Sequence, residues 1–309
     1  MNFQQLRIVR ETVRQNFNLT EVAEALFTSQ PGVSKHIKDL EDELGVELFN
    51  RKGKRLTGLT EPGKELIGIV ERLLLDAQNI KQLADQFTQK DVGQLVVATT
   101  HTQARYVLPQ VVKQFKDAFP KVHLVLHQGS PEEIVTFLQT GQADIGIATE
   151  ALEGADQIVT FPYYQWQHAV IVPKGHPLEH QKNLTLAQIA DYPIITYHEG
   201  FTGRGQIDKS FANDGLTPDI IMSALDADVI KAYVELGLGI GIIASMAYSA
   251  VRDNGLVLLE AANLFNVNTT VIGVRKGHYL RGFTHRFIEL CSPKYSEAEI
   301  KALTNNKLL

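Results

Sequence analysis

From residue 93 onward, apolar runs alternate with helical patterns, and this alternation most constrains how the chain can fold. Short apolar runs typical of strands lie at 94–100, 122–128, 143–149, 169–173, 193–197, 240–245 and 269–274. Helical periodicity lies between them at 107–119, from 131 onward and at 226–236. Such alternation indicates βαβ units, with a mostly parallel sheet covered by helices on both faces.

The alternation occurs in two similar sets, which predicts two α/β lobes. Lobe I takes about 92–162 and 268–295, and lobe II takes about 163–267. The strand at 269–274 comes late in the sequence, so we expect the chain to cross between the lobes twice. Two lobes joined by two crossings form a hinged cleft, and we expect residues 90–309 to form this ligand-binding domain.

The first 60 residues have the pattern of short amphipathic helices. One apolar helical face repeats at Phe3, Leu6, Val9 and Val13. Thr20 is the candidate N-cap of a second helix. Ser29 is the candidate N-cap of a third helix, with Pro31 in its first turn and Gly45 as its C-cap. Two short helices joined by a tight turn predict a helix-turn-helix.

The predicted third helix and the segment after it carry groups that bond base edges and phosphates. On the turn and the helix these are Thr28, Ser29, Gln30, Pro31, Ser34, Lys35 and Lys38. Four of the five residues from 51 to 55 are basic around a turn glycine: Arg51, Lys52, Lys54 and Arg55. This segment predicts a wing that holds the DNA backbone. The alternative is a solvated three-helix bundle with a basic loop.

The charge of the chain limits how it can contact DNA. The whole chain has a net charge of −5, which excludes a uniformly basic surface. Residues 1–90 carry 13 basic and 13 acidic side chains, so this region has no net charge either. Contact with DNA therefore requires basic groups sorted onto one face.

Residues 61–89 have the pattern of one long helix. Apolar residues recur close to a heptad spacing at Leu66, Ile69, Leu73, Ala77, Ile80, Ala84 and Phe87. A helix of this length spans roughly 40 Å and cannot bury its stripe against one small bundle. We expect a second copy of the chain to cover the stripe, since helix-turn-helix units usually pair on duplex DNA. The alternative is packing on the C-terminal region of the same chain.

Hydroxyl and amide groups cluster where three predicted strands end, which is where parallel α/β sheets bind small ligands. The candidate ligand-binding residues are Thr100, Thr102, Gln103, Gln128, Gly129, Ser130 and Thr149. A glycine-flanked loop at 201–205 adds Thr202 and the cation Arg204, and this loop can close over the same ligand. The helix N-terminus beside the first cluster favours an anion. The alternative is that these residues are only caps and turns.

Several function classes are disfavoured by the composition and the spacing. A single cysteine, Cys291, excludes an intrachain disulfide and argues against a cysteine zinc site; we expect it to be a core thiol. His123 and His127 lie about 13 Å apart on one strand face, too far for one metal. We find no acid, base or nucleophile arranged for catalysis, and the glycines at 237–241 fit a helix-to-strand turn. We therefore predict no enzyme, cofactor or metal.

The N-terminal segment and the overall hydropathy bear on where the chain acts. The first residues contain no apolar run of the length of a secretory signal, which disfavours an exported solute-binding receptor. No stretch approaches the ~20 apolar residues of a membrane helix. We expect a cytoplasmic protein without a membrane partner.

Several stretches resemble LysR-type transcriptional regulators. The signature lies in AEALFTSQPGVS at 23–34, LEDELGVELF at 40–49 with Arg51, and LTEPG at 59–63. The C-terminal part resembles the CysB and Cbl branch of that family, which controls sulfur assimilation and cysteine biosynthesis. The stretches that carry this are TTHTQARY at 99–106, HQGSP at 127–131, ATEAL at 148–152, GFTGR at 200–204 and DADVIK at 226–231.

The resemblance implies a winged helix-turn-helix, a long linker helix at 61–89 and a two-lobed domain like the periplasmic binding proteins. It implies a homodimer or homotetramer that binds promoter DNA, works with RNA polymerase as an activator and responds to N-acetylserine or O-acetylserine. Sulfide or thiosulfate opposes this effector, and sulfate can occupy the cleft. The resemblance assigns the anionic group to Thr100, Thr102, Gln103, Thr149 and Thr202. The alternative is a Cbl-like regulator of sulfonate-sulfur use that senses adenosine phosphosulfate.

Overall fold

The computed structural model describes residues 1–181, 183–259, 261 and 263–304. The chain divides into two compact units, with the boundary between Asp85 and Gln86. Among the described residues, no helix has both the length and the apolar character needed to cross a membrane.

The first unit is a helical bundle with a small hairpin. Its elements are α1 Phe3–Arg14, α2 Leu19–Ala25, α3 Gln30–Leu44, β1 Phe49–Lys52, β2 Arg55–Leu59 and α4 Glu61–Thr88. A core of fully buried side chains joins the three short helices to the hairpin: Ile8, Val9, Val22, Val33, Ile37, Leu40, Leu48 and Phe49. The predicted helix-turn-helix and basic hairpin are therefore present.

The caps of the short helices test the sequence interpretation most closely. Ser29 caps α3 by accepting from the Gly32 N–H, and Gly45 ends the helix in the left-handed region, both as predicted. The prediction of Thr20 as the cap of α2 is wrong. Asn18 accepts from the Thr20 N–H instead, so α2 begins at Leu19. Two residues with capping ability lie two positions apart here, and sequence alone does not rank them.

The long helix α4 matches the predicted linker helix within one residue at its end. Near its start, Val70 and Leu74 pack against Leu6 of α1. Four residues of the predicted stripe are between 40% and 82% exposed: Ile69, Leu73, Ile80 and Phe87. A single chain thus leaves much of the stripe open to solvent.

The second unit contains two sheets. Its strands are β3 Gly93–Thr99, β4 Val122–Gln128, β5 Ile145–Ala148, β6 Ile158–Trp166, β7 His168–Pro173, β8 Ile194–Tyr197, β9 Ile220–Ala224, β10 Ile240–Ala244, β11 Leu256–Leu259 and β12 Asn268–Arg275. Its helices are α5 Leu108–Ala118, α6 Pro131–Thr140, α7 Leu186–Ala190, α8 Arg204–Asn213, α9 Ala227–Glu235, α10 Gly282–Cys291 and α11 Glu297–Thr304. A π-helical turn, Gln103–Val107, precedes α5.

Each lobe is built on one five-stranded mixed sheet. The strand order is β4-β3-β5-β12-β6 in lobe I and β11-β7-β10-β8-β9 in lobe II. The prediction of parallel strands is correct for three strands in each sheet: β4, β3 and β5, and then β10, β8 and β9. The other two pairings in each sheet are antiparallel, because β12 in lobe I and β7 in lobe II run opposite to the remaining four strands. The pairing of β6 with β12 joins segments far apart in sequence, and no local pattern signals it.

The lobe boundaries differ from the predicted ones. Strand β6 pairs with β12 as far as Trp166, so lobe I does not end at 162. Ile300 of α11 is fully buried in the core of lobe I, so this lobe also extends beyond 295. Lobe I therefore takes 90–166 and 268–304, and lobe II takes 168–267 where it is described.

The cores of the lobes hold the sheets in place below the cleft. In lobe I, Phe115 of α5 packs edge-on against Phe287 of α10, with ring centroids 5.4 Å apart. Cys291 is buried in the same core, and burial raises the pKa of its thiol to about 12. Its burial confirms the expectation of a core thiol. A thiol with so high a pKa is also unreactive near neutral pH.

Candidate functional site

The residues predicted to contact DNA form part of the surface of the first unit. Thr28, Ser29, Gln30, Pro31, Lys35, Lys38, Lys52, Lys54 and Arg55 are exposed, and Ser34 is half-exposed. The Gln30 amide donates to the Ser34 hydroxyl at 3.1 Å, which orders the exposed face of α3. A groove of about 670 Å³ brings Gln30 next to Lys52, Lys54 and Arg55 of the hairpin. The structure thus places the start of α3 and the basic turn side by side.

Arg51 differs from the other basic residues of the hairpin. Its guanidinium lies 2.6 Å from the carboxylate of Glu41, which is buried in α3. The other oxygen of Glu41 accepts from the backbone N–H groups of Leu48 and Phe49. Arg51 therefore anchors the hairpin to α3 while its side chain stays 39% exposed. The sequence interpretation missed Glu41, because its partners come from a different element.

In the second unit, two of the predicted ligand residues meet across the lobes. Thr102 lies just before the π-helical turn of lobe I, and Thr202 lies in the loop before α8 of lobe II. Both are buried, and their hydroxyl oxygens are 3.5 Å apart. A hydroxyl donates and accepts, so a ligand held between the two threonines would touch both lobes.

The loop that carries Thr202 rests on both crossings between the lobes. His168, the first residue of β7, donates from Nε2 to the Thr202 carbonyl at 3.0 Å. Its Nδ1 then accepts from the amide of Asn268, the first residue of β12, at 3.4 Å. Burial lowers the pKa of His168 to about 4, so the ring is neutral at physiological pH. The loop is thus fixed by uncharged groups.

Gly203 lets the loop approach the crossings closely. Its φ is +71°, and a Cβ here would lie 2.5 Å from Oδ1 of Asn268 and 2.7 Å from Cε1 of His168. Thr202 also has a positive φ, of +44°, which is uncommon for a residue with a branched side chain. The Gly203 N–H donates across the lobes to the Glu150 carboxylate.

A hydrogen-bond network of lobe I forms the wall behind Thr102. The Gln103 amide donates to the Thr270 hydroxyl, and the Tyr164 hydroxyl donates to the Gln103 carbonyl oxygen at 2.7 Å. Trp166 also donates to the Thr270 hydroxyl, at 3.0 Å. Burial raises the pKa of Tyr164 to about 12, so it keeps its proton as a donor. The sequence interpretation included Gln103 but missed Thr270, the residue that joins the network.

The same network reaches the Thr149 hydroxyl. The oxygen of Thr270 already accepts from Gln103 and Trp166. Thr149 Oγ1 lies 3.1 Å from the Thr270 oxygen, and either hydroxyl can donate to the other. Thr149 therefore adds to the wall of the cleft a hydroxyl that can donate or accept.

The structure does not bring the remaining predicted ligand residues into this network. Ser130 caps α6, where it accepts from the Glu133 N–H, so its local role explains its presence. Gln128 is exposed and its carbonyl oxygen pairs with Nδ1 of His101 at 3.1 Å. The Gly129 N–H donates to the Thr99 carbonyl. Thr100 is buried at the end of β3.

Arg204 does not face the cleft. Its guanidinium donates to the Tyr197 carbonyl at 2.5 Å and to the Asp208 carboxylate at 2.7 Å, and the residue is buried. The expectation that this cation helps the loop close over an anion is therefore wrong. The guanidinium stabilises the base of α8 within lobe II.

A second contact between the lobes is charged, and we call it the Asp228 cluster. Lobe I contributes His101, Arg105 and Tyr106, and lobe II contributes Asp228, Lys231 and Asp253. The Tyr106 hydroxyl donates to Asp228 at 2.6 Å, and Lys231 lies 3.2 Å from Asp228 and 3.1 Å from Asp253.

Two pKa shifts follow from the Asp228 cluster. Partial burial acts to raise the pKa of Asp228, but hydrogen bonds from Tyr106, His101 and Lys231 outweigh it and lower the pKa to about 2. Partial burial acts to lower the pKa of Lys231, but its partners raise it. Both groups are therefore charged over the physiological range.

His101, Asp226 and Asp228 place ligand atoms within 4.8 Å of one another. Asp226, however, caps α9 by accepting from the Val229 N–H, and Asp228 is bound to Tyr106 and Lys231. These carboxylates already have partners, and the absence of a metal stays a prediction.

The chain matches two family models. "Bacterial regulatory helix-turn-helix protein, lysR family" matches residues 3–64, and "LysR substrate binding domain" matches residues 88–295. The transcriptional regulator SsuR of Burkholderia cenocepacia is 61% identical over 98% of both chains. The regulator cbl of Escherichia coli is 54% identical over 97% of this chain and 95% of that one. The regulator CysB of Burkholderia cenocepacia is 51% identical over 95% and 94%.

Solved structures agree with this result. The cofactor-binding domain of the Cbl transcriptional regulator is 48% identical and covers 69% of this chain and 94% of its own, with a TM-score of 0.67. A full-length OxyR variant of Pseudomonas aeruginosa, 23% identical over 94% and 96%, shares the fold with a TM-score of 0.68. The chain therefore belongs to the LysR family as a transcription factor rather than an enzyme, a regulator of the CysB, Cbl and SsuR type in sulfur metabolism.

Proposed function

We propose that the chain controls genes of cysteine biosynthesis and sulfur assimilation in response to a small anionic effector held between its lobes. The effector is N-acetylserine or O-acetylserine, and sulfate or thiosulfate binds in the same place. The observation that carries this proposal is the pair of buried hydroxyls of Thr102 and Thr202, one from each lobe and 3.5 Å apart.

The groups around this pair suit an anion. The hydroxyls of Thr102, Thr149 and Thr202 can donate in a mostly buried setting, where a hydrogen bond to a charged group is strong. An effector bound to both lobes favours the arrangement in which they are closest. Its differential affinity for two arrangements then shifts the equilibrium that the DNA-binding units experience.

The first unit supports the DNA-binding half of the proposal. Basic groups on α3 and the hairpin are exposed, although the region has no net charge: Lys35, Lys38, Lys52, Lys54 and Arg55. The exposed stripe of α4 suits pairing with a second copy, and we propose a homodimer that assembles into a homotetramer. The chain then acts in the cytoplasm as an activator, with RNA polymerase as a partner.

Calorimetric titration with N-acetylserine and O-acetylserine tests the effector half. Thr102→Val removes the hydroxyl and keeps the shape, so we expect effector affinity to fall about tenfold or more. Thr99→Val is the matched control, because the Thr99 hydroxyl is equally buried but donates to the Ile147 carbonyl within lobe I. Equal losses in both variants would contradict the assignment of Thr102.

Promoter binding, measured on variants of both units, tests whether DNA binding and effector binding depend on separate residues. Thr102→Val should bind promoter DNA as the wild type does, without effector. Lys35→Gln should weaken promoter binding at moderate salt and leave effector affinity unchanged, because one phosphate or base contact is lost. Lys113→Gln, on the exposed side of α5, is the control. Unchanged affinity in Lys35→Gln would remove Lys35 from the interface.

A titration with adenosine phosphosulfate tests the alternative effector, which the resemblance to Cbl implies. Tight binding of this nucleotide, with weak binding of the acetylated serines, would assign the chain to control of sulfonate-sulfur use. The reverse order would support the acetylserine effectors.

A further inference from the structure

Glu150 is a partly buried carboxylate at the contact between the lobes, and the sequence interpretation did not include it among the ligand residues. It comes two residues after β5 ends and directly follows Thr149. One of its oxygens, Oε1, accepts from the Gly203 N–H of the other lobe. The other, Oε2, is fully buried and has no hydrogen-bond partner among the residues that the structure describes.

An unpartnered carboxylate oxygen away from water costs free energy unless it gains a proton or a donor. Burial raises the pKa of Glu150 to about 7, and the N–H of Gly203 offsets only part of this effect. The charge of Glu132 at the start of α6 raises the pKa further. His168 of β7, which packs beside Gly203, is neutral.

We propose that Glu150 selects ligands of the cleft by whether they bring a hydrogen-bond donor to its Oε2. A ligand with an N–H or O–H beside its anionic group donates to the ionised carboxylate. A ligand with only acceptor oxygens, such as sulfate, binds when Glu150 carries a proton and donates it. This inference rests on the proposed function, since it assigns a specificity-determining residue to the same cleft.

The two ligand classes therefore differ in how proton binding is coupled to ligand binding. Binding of a donor-free anion near neutral pH takes up a proton, because the protonated form of Glu150 is the one that binds. Binding of N-acetylserine, which has an amide N–H and a hydroxyl, favours the ionised form and releases a proton wherever Glu150 carries one. The difference is measurable without any variant.

Calorimetry of the wild-type full chain at about pH 6 and about pH 8 tests this coupling. Sulfate affinity should fall about tenfold over that interval, with about one proton taken up at the higher pH, as a pKa of about 7 requires. Heats measured in two buffers of different ionisation enthalpy give the proton count. N-acetylserine affinity should instead rise by up to about tenfold over that interval, because the ionised form of Glu150 is the one that accepts its donor. A flat sulfate affinity with no proton uptake would overturn the proposal.

The variant Glu150→Gln tests the residue itself. With its carbonyl oxygen facing the Gly203 N–H, glutamine places an NH₂ donor where Oε2 was. Sulfate affinity should then be independent of pH and about tenfold higher than in the wild type at about pH 8. N-acetylserine should bind about tenfold more weakly, since its donor meets another donor.

Glu153→Gln, an exposed glutamate three residues further on, is the matched control and should behave as the wild type. If Glu150→Gln keeps the wild-type ratio of sulfate affinity to N-acetylserine affinity, Glu150 does not select between the two ligands. The proposed function then still stands, because the cleft binds its effector. If the wild type binds neither ligand, the proposed function fails together with this inference. The two failures are thus distinguishable.

Discussion

The two contacts between the lobes are built from opposite chemistry. The contact around Thr202 and Gly203 is buried and mostly uncharged, with a neutral histidine behind it and a carboxyl whose pKa is raised to about 7. The Asp228 cluster is partly exposed and contains ion pairs, with an aspartate whose pKa is lowered to about 2. The first contact has a buried carboxylate oxygen without a hydrogen-bond partner among the described residues, whereas the Asp228 cluster pairs its charges within the protein.

This difference suggests different roles for the two contacts. Ion pairs that are already satisfied hold the lobes together over the whole physiological pH range and leave little to offer a ligand. Buried groups with spare hydrogen-bonding capacity gain most when a ligand arrives, because the cost of leaving them unpaired is removed. We therefore expect the Asp228 cluster to stabilise the arrangement of the lobes without effector. We expect the Thr202 contact to change when an effector binds.

Gly203→Ala is the change with the largest expected effect, and it acts on the uncharged contact. The left-handed φ and the close approach to Asn268 and His168 should together cost about 3 kcal/mol of the free energy of unfolding. Effector binding should be lost as the loop moves. Urea unfolding and calorimetry measure the two effects. Gly205→Ala is the control, because no atom lies within 4 Å of a Cβ there. Equal effects would show that the loop is not constrained.

Lys231→Met tests the charged contact. It leaves Asp253 buried without its cation, and it removes one partner of the half-exposed Asp228. We expect a loss of about 2 kcal/mol in the free energy of unfolding, since a buried charge without its partner is costly and the exposed part is screened. Urea unfolding measures this loss. Effector affinity should change less than in Gly203→Ala, and a larger change would break the proposed separation of roles. Lys209→Met, on the exposed surface of α8, is the control.

The pH dependence of stability sharpens the comparison between the two contacts. The folded-state pKa of Glu150 is raised from 4.5 to about 7, so its contribution is present below about pH 4.5 and is lost as the pH rises through 7. Relative to Glu150→Gln, the wild type should lose up to about 3 kcal/mol over that interval, at about 1.4 kcal/mol per pKa unit. Asp228 acts in the opposite sense, since its contribution is lost only as the pH falls from about 4 to about 2. Urea unfolding at several pH values measures both trends. If the free energy of unfolding changes with pH in the same way in the wild type and in Glu150→Gln, the raised pKa of Glu150 is wrong.

Local features of the fold were predictable from the sequence, and pairings between distant segments were not. Ser29 and Gly45 act on backbone groups within four residues, so their capping roles follow from residue type and position. The antiparallel pair β6 and β12 depends on segments about a hundred residues apart, and its register has no local signal.

The candidate site shows the same division. Thr102 and Thr202 were selected as polar residues at strand ends and loops, and the structure brings them together. The importance of Thr270, Glu150 and Asp228 depends on partners from other elements, which residue type does not reveal. The orientation of Arg204 was missed for a related reason, because one of its acceptors is the backbone carbonyl of Tyr197, in another element.

The pairing of Trp166 with Asn268 has an evolutionary consequence. The chain leaves lobe I and returns to it at neighbouring positions of one antiparallel ribbon, so lobe II has the geometry of an inserted module with adjacent ends. We expect a module of this kind to be exchangeable between relatives, because the sheet that receives it keeps its own strand pairings. Chimeras joined at these two positions would transfer one half of the ligand cleft as an intact piece, and new ligand preferences can arise by recombination as well as by point substitution.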